Sequence, residues 1–230
     1  MNIKTEVEVV EKNLIADEIY YLLLKIEETP GYIPGQYVSL KVSEAGHRRS
    51  YSVASFKDGV IGLIVDVSPK GVGSVYVESL KVGDKVEIIA FLGNFVVETA
   101  ETERAKRIYF VATGTGVAPL GPMIEKVLYG GFTGKVFLSW GLRHETGIYW
   151  LDYLESIKKK HSNFDFEIYL SKPTGEWKGK VGHVGDNFME METYESVWYL
   201  CGATDMISQM KERLLARGVP EGDINYEKFF

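Results

Sequence analysis

The chain has 230 residues, 45% of them apolar, and a formal net charge of -6. That length buries a sizeable core and suggests two domains of roughly 100–150 residues each, while the acidic balance excludes the broad basic face that a nucleic acid demands. Cys201 is the only cysteine, which excludes an internal disulfide and an iron–sulfur cluster held by several thiolates of this chain, so electrons passing through it need an organic carrier.

The amino-terminal stretch "MNIKTEVEVVEKNLI" alternates charge with Val and Ile. It lacks the apolar core of a signal peptide, and no run of membrane-spanning length follows, so a cytoplasmic protein without membrane insertion is expected. Up to about residue 98 the chain reads as short strands: "TEVEVVEKN", "EIYYLLLKI", "GQYVSLKV", "RSYSVAS", "VIGLIVDV" and "KVEIIAF". Pro, Gly and Asp in "ETPGYIPGQ", "FKDG" and "KVGD" supply the turns between them. Many short strands at close spacing predict a small antiparallel barrel or sandwich, with Gly73 to Leu80 as one short helix.

The charged stretch "ETAETERAK", residues 98–106, offers little to bury and separates two differently patterned halves. It sets the expected domains at 1–100 and 101–230. Beyond it "RIYFVAT", Ala118 to Tyr129, "KVFLSW", Tyr149 to His161, "FEIYL", "SVWYLCG" and Asp205 to Arg217 alternate strand with helix, which predicts a parallel sheet covered on both faces. In the last helix Thr204 is expected to cap the first turn, Met206, Ile207, Met210 and Leu214 share a face, and Gly218 follows as a stop.

Three constellations could carry chemistry. In the strand at Arg49, alternation sends Arg49 and Tyr51 to one face and Ser50 and Ser52 to the other. A guanidinium and a phenol ring suit a phosphate and a flat ligand, and the same residues also fit a half-exposed strand with solvated arginines. In "VSPKGVGSVYVESL", Gly71 and Gly73 free the backbone and Ser74 is placed to cap a helix whose N–H groups face an anion; an ordinary turn and cap fits as well. In "YFVATGTGVAPLGPMIE" a strand enters Gly114, Thr115 and Gly116 before a helix at Ala118, a phosphate cradle or simply a tight turn. Pro119 stands where a dinucleotide fingerprint has its third Gly, so the usual Rossmann pattern is not met, although a proline is tolerated there. Two phosphate sites in two domains point to two nucleotides.

In this order and spacing, "RSYS", "GVGS", "GTGVAP", "CGATDM" and the terminal "EKFF", with "IPGQYVSL" and "VGDKVEIIAFLGNF" in support, resemble the ferredoxin–NADP reductase superfamily of flavoproteins over essentially the whole chain. The resemblance implies an antiparallel β-barrel FAD-binding domain followed by an α/β pyridine-nucleotide-binding domain. It implies Arg49 on the flavin pyrophosphate, Tyr51 on the isoalloxazine, Ser52 near flavin N5, and Val65, Asp66 and Val67 along the flavin edge. Gly73 and Ser74 fall on the pyrophosphate, which favours FAD over FMN, and Ser50, Gly71 and Thr115 join the same set.

For the second domain it implies that Gly114, Thr115, Gly116, Ala118 and Pro119 hold the diphosphate of NADH or NADPH. Cys201 and Gly202 then lie beside the nicotinamide, Met206 nearby and Arg143 by the adenosine ribose. Ser52, Cys201 and Glu227 are the implied catalytic set, and Phe229 or Phe230 covers the flavin face opposite Tyr51. No metal ligands are assigned. Glu145 beside Arg143, and Lys172 where a second arginine would serve a 2′-phosphate, lean the cofactor choice to NADH.

The implied activity is an FAD enzyme passing electrons between NAD(P)H and a small carrier protein: ferredoxin, flavodoxin or an oxygenase component. A free flavin reductase and an FAD- and nucleotide-binding subunit of a larger redox complex stay open beside it. The pattern carries no reading of oligomeric state.

Overall fold

In the computed structural model, residues 3–27, 31–186 and 191–229 are described. They divide into two compact units, Met1–Val96 and Val97–Phe230.

The first unit is a closed antiparallel barrel of β1 (Ile3–Ala16), β2 (Ile19–Lys25), β3 (Tyr37–Lys41), β4 (Arg48–Lys57), β5 (Val60–Asp66) and β6 (Lys85–Leu92), in the order β1-β2-β5-β4-β3-β6. Alternation fills the barrel. Val7 and Val9, Leu22 and Leu24, Val38 and Leu40, and Ile61 and Leu63 are each at most 1% exposed, every one contributing about 1.5–3 kcal/mol of burial. A helix, α1 (Val72–Ser79), follows β5, and its Val77 and the adjoining Leu80 join the same core. Its carboxyl end is tied down by Lys12, whose Nζ donates to the carbonyls of Glu78 (2.6 Å) and Leu80 (3.0 Å). Ser74 does not cap this helix as expected. The N-cap is Gly71, no side chain caps it, and Ser74 is buried in the first turn because the tertiary packing starts the helix two residues earlier.

The second unit is a wholly parallel sheet of β7 (Arg107–Thr113), β8 (Lys135–Leu142), β9 (Phe164–Leu170), β10 (Lys180–Val181), β11 (Ser196–Ala203) and β12 (Ile224–Phe229), in the order β10-β9-β8-β7-β11-β12. Every residue from Ile108 to Ala112 and from Ser196 to Gly202 is buried, as strands covered on both faces must be. Tyr109 and Val111 share a core with Ile207, Met210 and Leu214 of α5 (Thr204–Ala216). The alternate residues serve the opposite face, and α3 (Val117–Tyr129) packs on β7, β8 and β11. A further helix, α4 (Leu151–Lys160), packs on β9.

Thr204 is the first residue of α5 rather than its cap. Ala203 holds the N-cap position, and the Thr204 hydroxyl donates to the carbonyl of Phe229 at 3.5 Å. Among the described residues no helix is long and apolar enough to cross a membrane.

The charged stretch expected to separate the halves holds a helix, α2 (Thr99–Arg104), within the second unit. Its Glu101 is only 7% exposed. That carboxylate accepts from the Tyr199 hydroxyl, from Asn225 Nδ2 at 2.8 Å and from the Glu98 N–H at 2.9 Å, joining α2 to β11 and β12. Removing it strands a buried phenol and a half-buried amide. Glu101→Ala is therefore expected to lower unfolding stability by about 2–3 kcal/mol in urea denaturation; a loss under about 0.5 kcal/mol means α2 is passive.

Candidate functional site

In the barrel the site begins where β4 and β5 part. Their pairing runs from Lys57↔Val60 to Val53↔Leu63 and stops there, although β4 continues back to Arg48 and β5 on to Asp66. Arg49 to Ser52 on one strand and Ile64 to Val67 on the other thus border a splay. Val65 and Val67 are 1% exposed and Asp66 faces out, so the valines have backbone rather than side chain to offer a ligand.

Cross-strand pairs settle the faces. Arg49 and Tyr51 lie opposite Leu40 and Val38, whereas Ser50 and Ser52 lie opposite Ser39 and Tyr37. Ser50 is exposed and Ser52 nearly buried.

The adjacent arginines have different duties. Arg48 donates from Nε to Ser39 Oγ (3.0 Å), from Nη2 to the Ser39 carbonyl (2.5 Å) and from Nη1 to Glu87 Oε1 (2.6 Å), so it binds β4 to β3 and β6. Arg49 is exposed, and its Nη1 donates to the Arg48 carbonyl at 2.8 Å.

Arg49 and Tyr51 meet α1. A Cβ on Gly73 would lie 2.6 Å from the Tyr51 hydroxyl and 2.9 Å from Arg49 Cγ, so the missing side chain lets the helix start close on this pair. Gly71 differs from expectation. Its φ of -75° suits any residue and a Cβ there would meet nothing, so its glycine serves no local packing. The first turn of α1 holds no acidic residue and no side-chain cap, leaving amide donors and the positive end of the helix dipole beside a guanidinium. Lys70, the nearest other cation in sequence, is bound to Glu18 (2.8 Å) and Glu78 (3.1 Å). Burial pushes the Tyr51 phenol up to about 12, so it stays a neutral ring at physiological pH. These residues fit a diphosphate attached to a flat aromatic system.

In the second unit the turn after β7 is a 3-10 turn, Gly114–Gly116, leading into α3, which also has no side-chain cap and no acid in its first turn. Gly114 has φ +54° and Gly202 +132°, values that favour glycine. A Cβ on Gly116 would collide with the Cys201 carbonyl, and one on Gly202 with Thr113. Thr113 Oγ1 also accepts from the Ala203 N–H at 2.9 Å. Ala118 and Pro119 are buried in the helix–sheet packing, so only their backbone is on offer, while Thr115 is half-buried.

Cys201 is fully buried and level with Ala112 on one side and Glu227 on the other. Burial first, and then the Glu227 charge, push its thiol pKa up, so it is a neutral thiol. Glu227 and Phe229 are half-buried, and Met206 packs on the core shared with α5; Phe230 lies outside the described residues.

At the ends of β8 and β9, Arg143 is exposed and its carbonyl accepts from the Lys172 N–H at 2.9 Å. Glu145 accepts from the Thr174 N–H at 2.9 and 3.1 Å. Its own backbone amide and that of Thr174 lower its pKa, fixing a negative charge two residues from Arg143.

Two residues of this region were not anticipated. Thr113 seats Gly202 and Ala203, and the Trp140 indole donates to the Gly114 carbonyl at 2.9 Å. Trp140 stands 26 residues from its partner, and no local spacing signals the bond. A cavity of about 340 Å³ between α2 and the carboxyl end of α3 is remote along α3 from the glycine turn and gathers no such groups.

The sequence matches the Oxidoreductase FAD-binding domain family over residues 6–97 and the Oxidoreductase NAD-binding domain family over residues 110–212. It is 31% identical over 212 residues to ferredoxin–NADP reductase B of Sorangium cellulosum, covering 85% of this chain and 84% of that protein. It is also 31% identical over 202 residues to the toluate 1,2-dioxygenase electron transfer component of Pseudomonas putida, covering 86% of this chain and 59% of that longer protein. The crystal structure of the Amycolatopsis cytochrome P450 reductase GcoB superposes with a TM-score of 0.91 at 28% identity, over 100% of this chain and 71% of that one.

The bonding separates the two arginines experimentally. Arg48→Ala is expected to cost about 1–2 kcal/mol of unfolding stability through its bonds to Ser39, and Arg49→Ala less than about 0.5 kcal/mol, both read by urea denaturation of the flavin-free protein. Equal losses would make Arg49 a structural residue. Gly202→Ala, strained in backbone and colliding with Thr113, is expected to cost about 2 kcal/mol or more, whereas Gly71→Ala leaves the fold intact.

Proposed function

The chain belongs to the ferredoxin–NADP reductase superfamily, and from that premise we propose that it is an FAD enzyme taking electrons from NADH or NADPH and passing them to a one-electron carrier protein or oxygenase component. The observation that carries this reading is the pair of uncapped helix starts, α1 in one unit and α3 in the other, each brought by a glycine against a second element. One cradle adjoins a guanidinium and a neutral phenol ring, the other a strand end of Cys and Gly. The acceptor class rests on relatives whose names describe electron transfer components and a ferredoxin–NADP reductase. Cys201 as the sole cysteine agrees with an acceptor outside this chain.

When bound, the two cofactors supply hydride transfer from the dihydronicotinamide to flavin N5. The chain's own residues bind and orient them. Arg49 pairs with the FAD pyrophosphate and the α1 amides from Gly71 to Ser74 share that charge. Tyr51 covers a ring face without adding charge, Ser50 and Ser52 offer hydroxyls from the other side of β4, and Val65 to Val67 lend backbone groups along the splay. The turn from Gly114 to Pro119 takes the nucleotide diphosphate.

Gly202 and the small neutral Cys201, with Met206 nearby, would leave room for the nicotinamide at the end of β11. Glu227, level with Cys201, would orient the nicotinamide or hold a proton beside it. Arg143 meets the adenosine ribose, where the fixed Glu145 carboxylate opposes a 2′-phosphate and favours NADH.

Anaerobic stopped-flow mixing of the FAD-loaded protein with each nucleotide, followed by candidate acceptors, tests this. Flavin reduction by NADH and rapid reoxidation by ferredoxin, flavodoxin or an oxygenase component are expected. A protein that holds no flavin defeats the reading, and saturable turnover of added riboflavin makes it a flavin reductase instead. Arg49→Ala is expected to weaken FAD retention at least about tenfold. Glu145→Ala is expected to raise kcat/KM for NADPH relative to NADH several-fold. A parent preference for NADPH beyond about tenfold would reverse the assignment at Glu145.

A further inference from the structure

The Trp140 indole is fully buried and its N–H donates to the Gly114 carbonyl. On the sheet Trp140 is level with Ala112, Cys201 and Glu227, so the four side chains emerge from one face in a row across four strands. The glycine turn is anchored at both ends of its three residues. Gly114 hangs from Trp140, and Gly116 abuts the Cys201 carbonyl. Tyr149 packs edge-on against the indole, ring centroids 5.1 Å apart at 72°, which fixes the ring's orientation.

A trans peptide is planar and points its C=O and the following N–H in opposite directions. Holding the Gly114 oxygen toward the indole therefore turns the Thr115 N–H away from it. Gly114, at φ +54°, has a glycine's freedom to rotate. The Trp140 bond takes that freedom away. No side chain caps α3, so the amides of its start are left to an anion alongside the Thr115 hydroxyl.

We infer that Trp140 is a positioning residue for the pyridine nucleotide: its N–H sets the Gly114–Thr115 peptide so that the Thr115 amide is presented to the diphosphate. This rests on the reading of the turn as the diphosphate site. Trp140 itself touches no ligand, and its effect falls on binding of a diphosphate rather than on the rate of the bound complex.

Trp140→Phe keeps a buried ring and removes the donor. Trp140→benzothienylalanine keeps the bicyclic shape and replaces only the N–H by sulfur, which guards against a packing defect in the first variant. In calorimetric titration of the FAD-loaded protein, both variants are expected to raise the Kd of ADP-ribose about five- to tenfold, leaving the Kd of adenosine, which has no phosphate, within twofold. KM for NADH rises in step and kcat holds within about twofold. A benzothienylalanine variant that binds ADP-ribose like the parent overturns the role of Trp140. So does an equal loss for adenosine, which marks a general collapse of the site. If the parent itself binds no ADP-ribose, the reading of the turn fails first and the inference falls with it.

Discussion

Backbone contact between the β7–α3 turn and the end of β11 governs the second unit. Gly116 lies so near the Cys201 carbonyl, and Gly202 so near Thr113, that a Cβ at either place has no room. Each approach this close depends on one partner, Gly116 or Gly202, having no side chain to place between the two main chains. The approach brings the start of α3 to the carboxyl edge of the sheet, where ligands of parallel sheets are bound. It also explains why a third glycine is dispensable. Pro119 falls in the first turn of α3, where its missing N–H has no helical partner, and the tight contact is already made by Gly116.

The barrel reaches a similar end from antiparallel parts. There the amides come from α1, whose Gly73 lets it close on Tyr51 and Arg49, and the room comes from β4 parting from β5 beyond Val53 and Leu63. Charge is distributed to match. Lys12 meets the carbonyl end of α1, Lys70 is held between Glu18 and Glu78, and Arg49 remains beside the amide end. In an acidic chain this placement, rather than net charge, leaves positive potential at the start of α1.

Period and turn chemistry made the element order legible from the amino-acid sequence, and the two glycine turns could be read because glycine there has a backbone reason. Long-range bonding could not be read. Ser74 and Thr204 look like caps, yet the packing of α1 and α5 starts both helices before those residues could serve. Residues 98–106 look like a solvated separator because a glutamate is rarely buried; the partners that bury Glu101, Tyr199 and Asn225, lie 98 and 124 residues away. Gly71 was read as a backbone necessity, but its conformation is ordinary. Its surroundings are open as well, so neither conformation nor packing calls for a glycine there.

The two arginines show how far alternation alone can carry an assignment. Consecutive residues of a strand face opposite ways, so "RR" necessarily divides its charges between the two faces of β4. Which one is spent on the fold depends on β3 and β6, which place Ser39 and Glu87 on the Arg48 side and the apolar Leu40 and Val38 on the other. Arg48 is satisfied by three acceptors. Arg49 rises from the apolar side, with α1 closing over its stem at Gly73, and its Nη1 donates to the Arg48 carbonyl rather than to an acid. A charge held in place by packing on its alkyl chain, with its head left exposed, is pre-organised for an anion that arrives from outside.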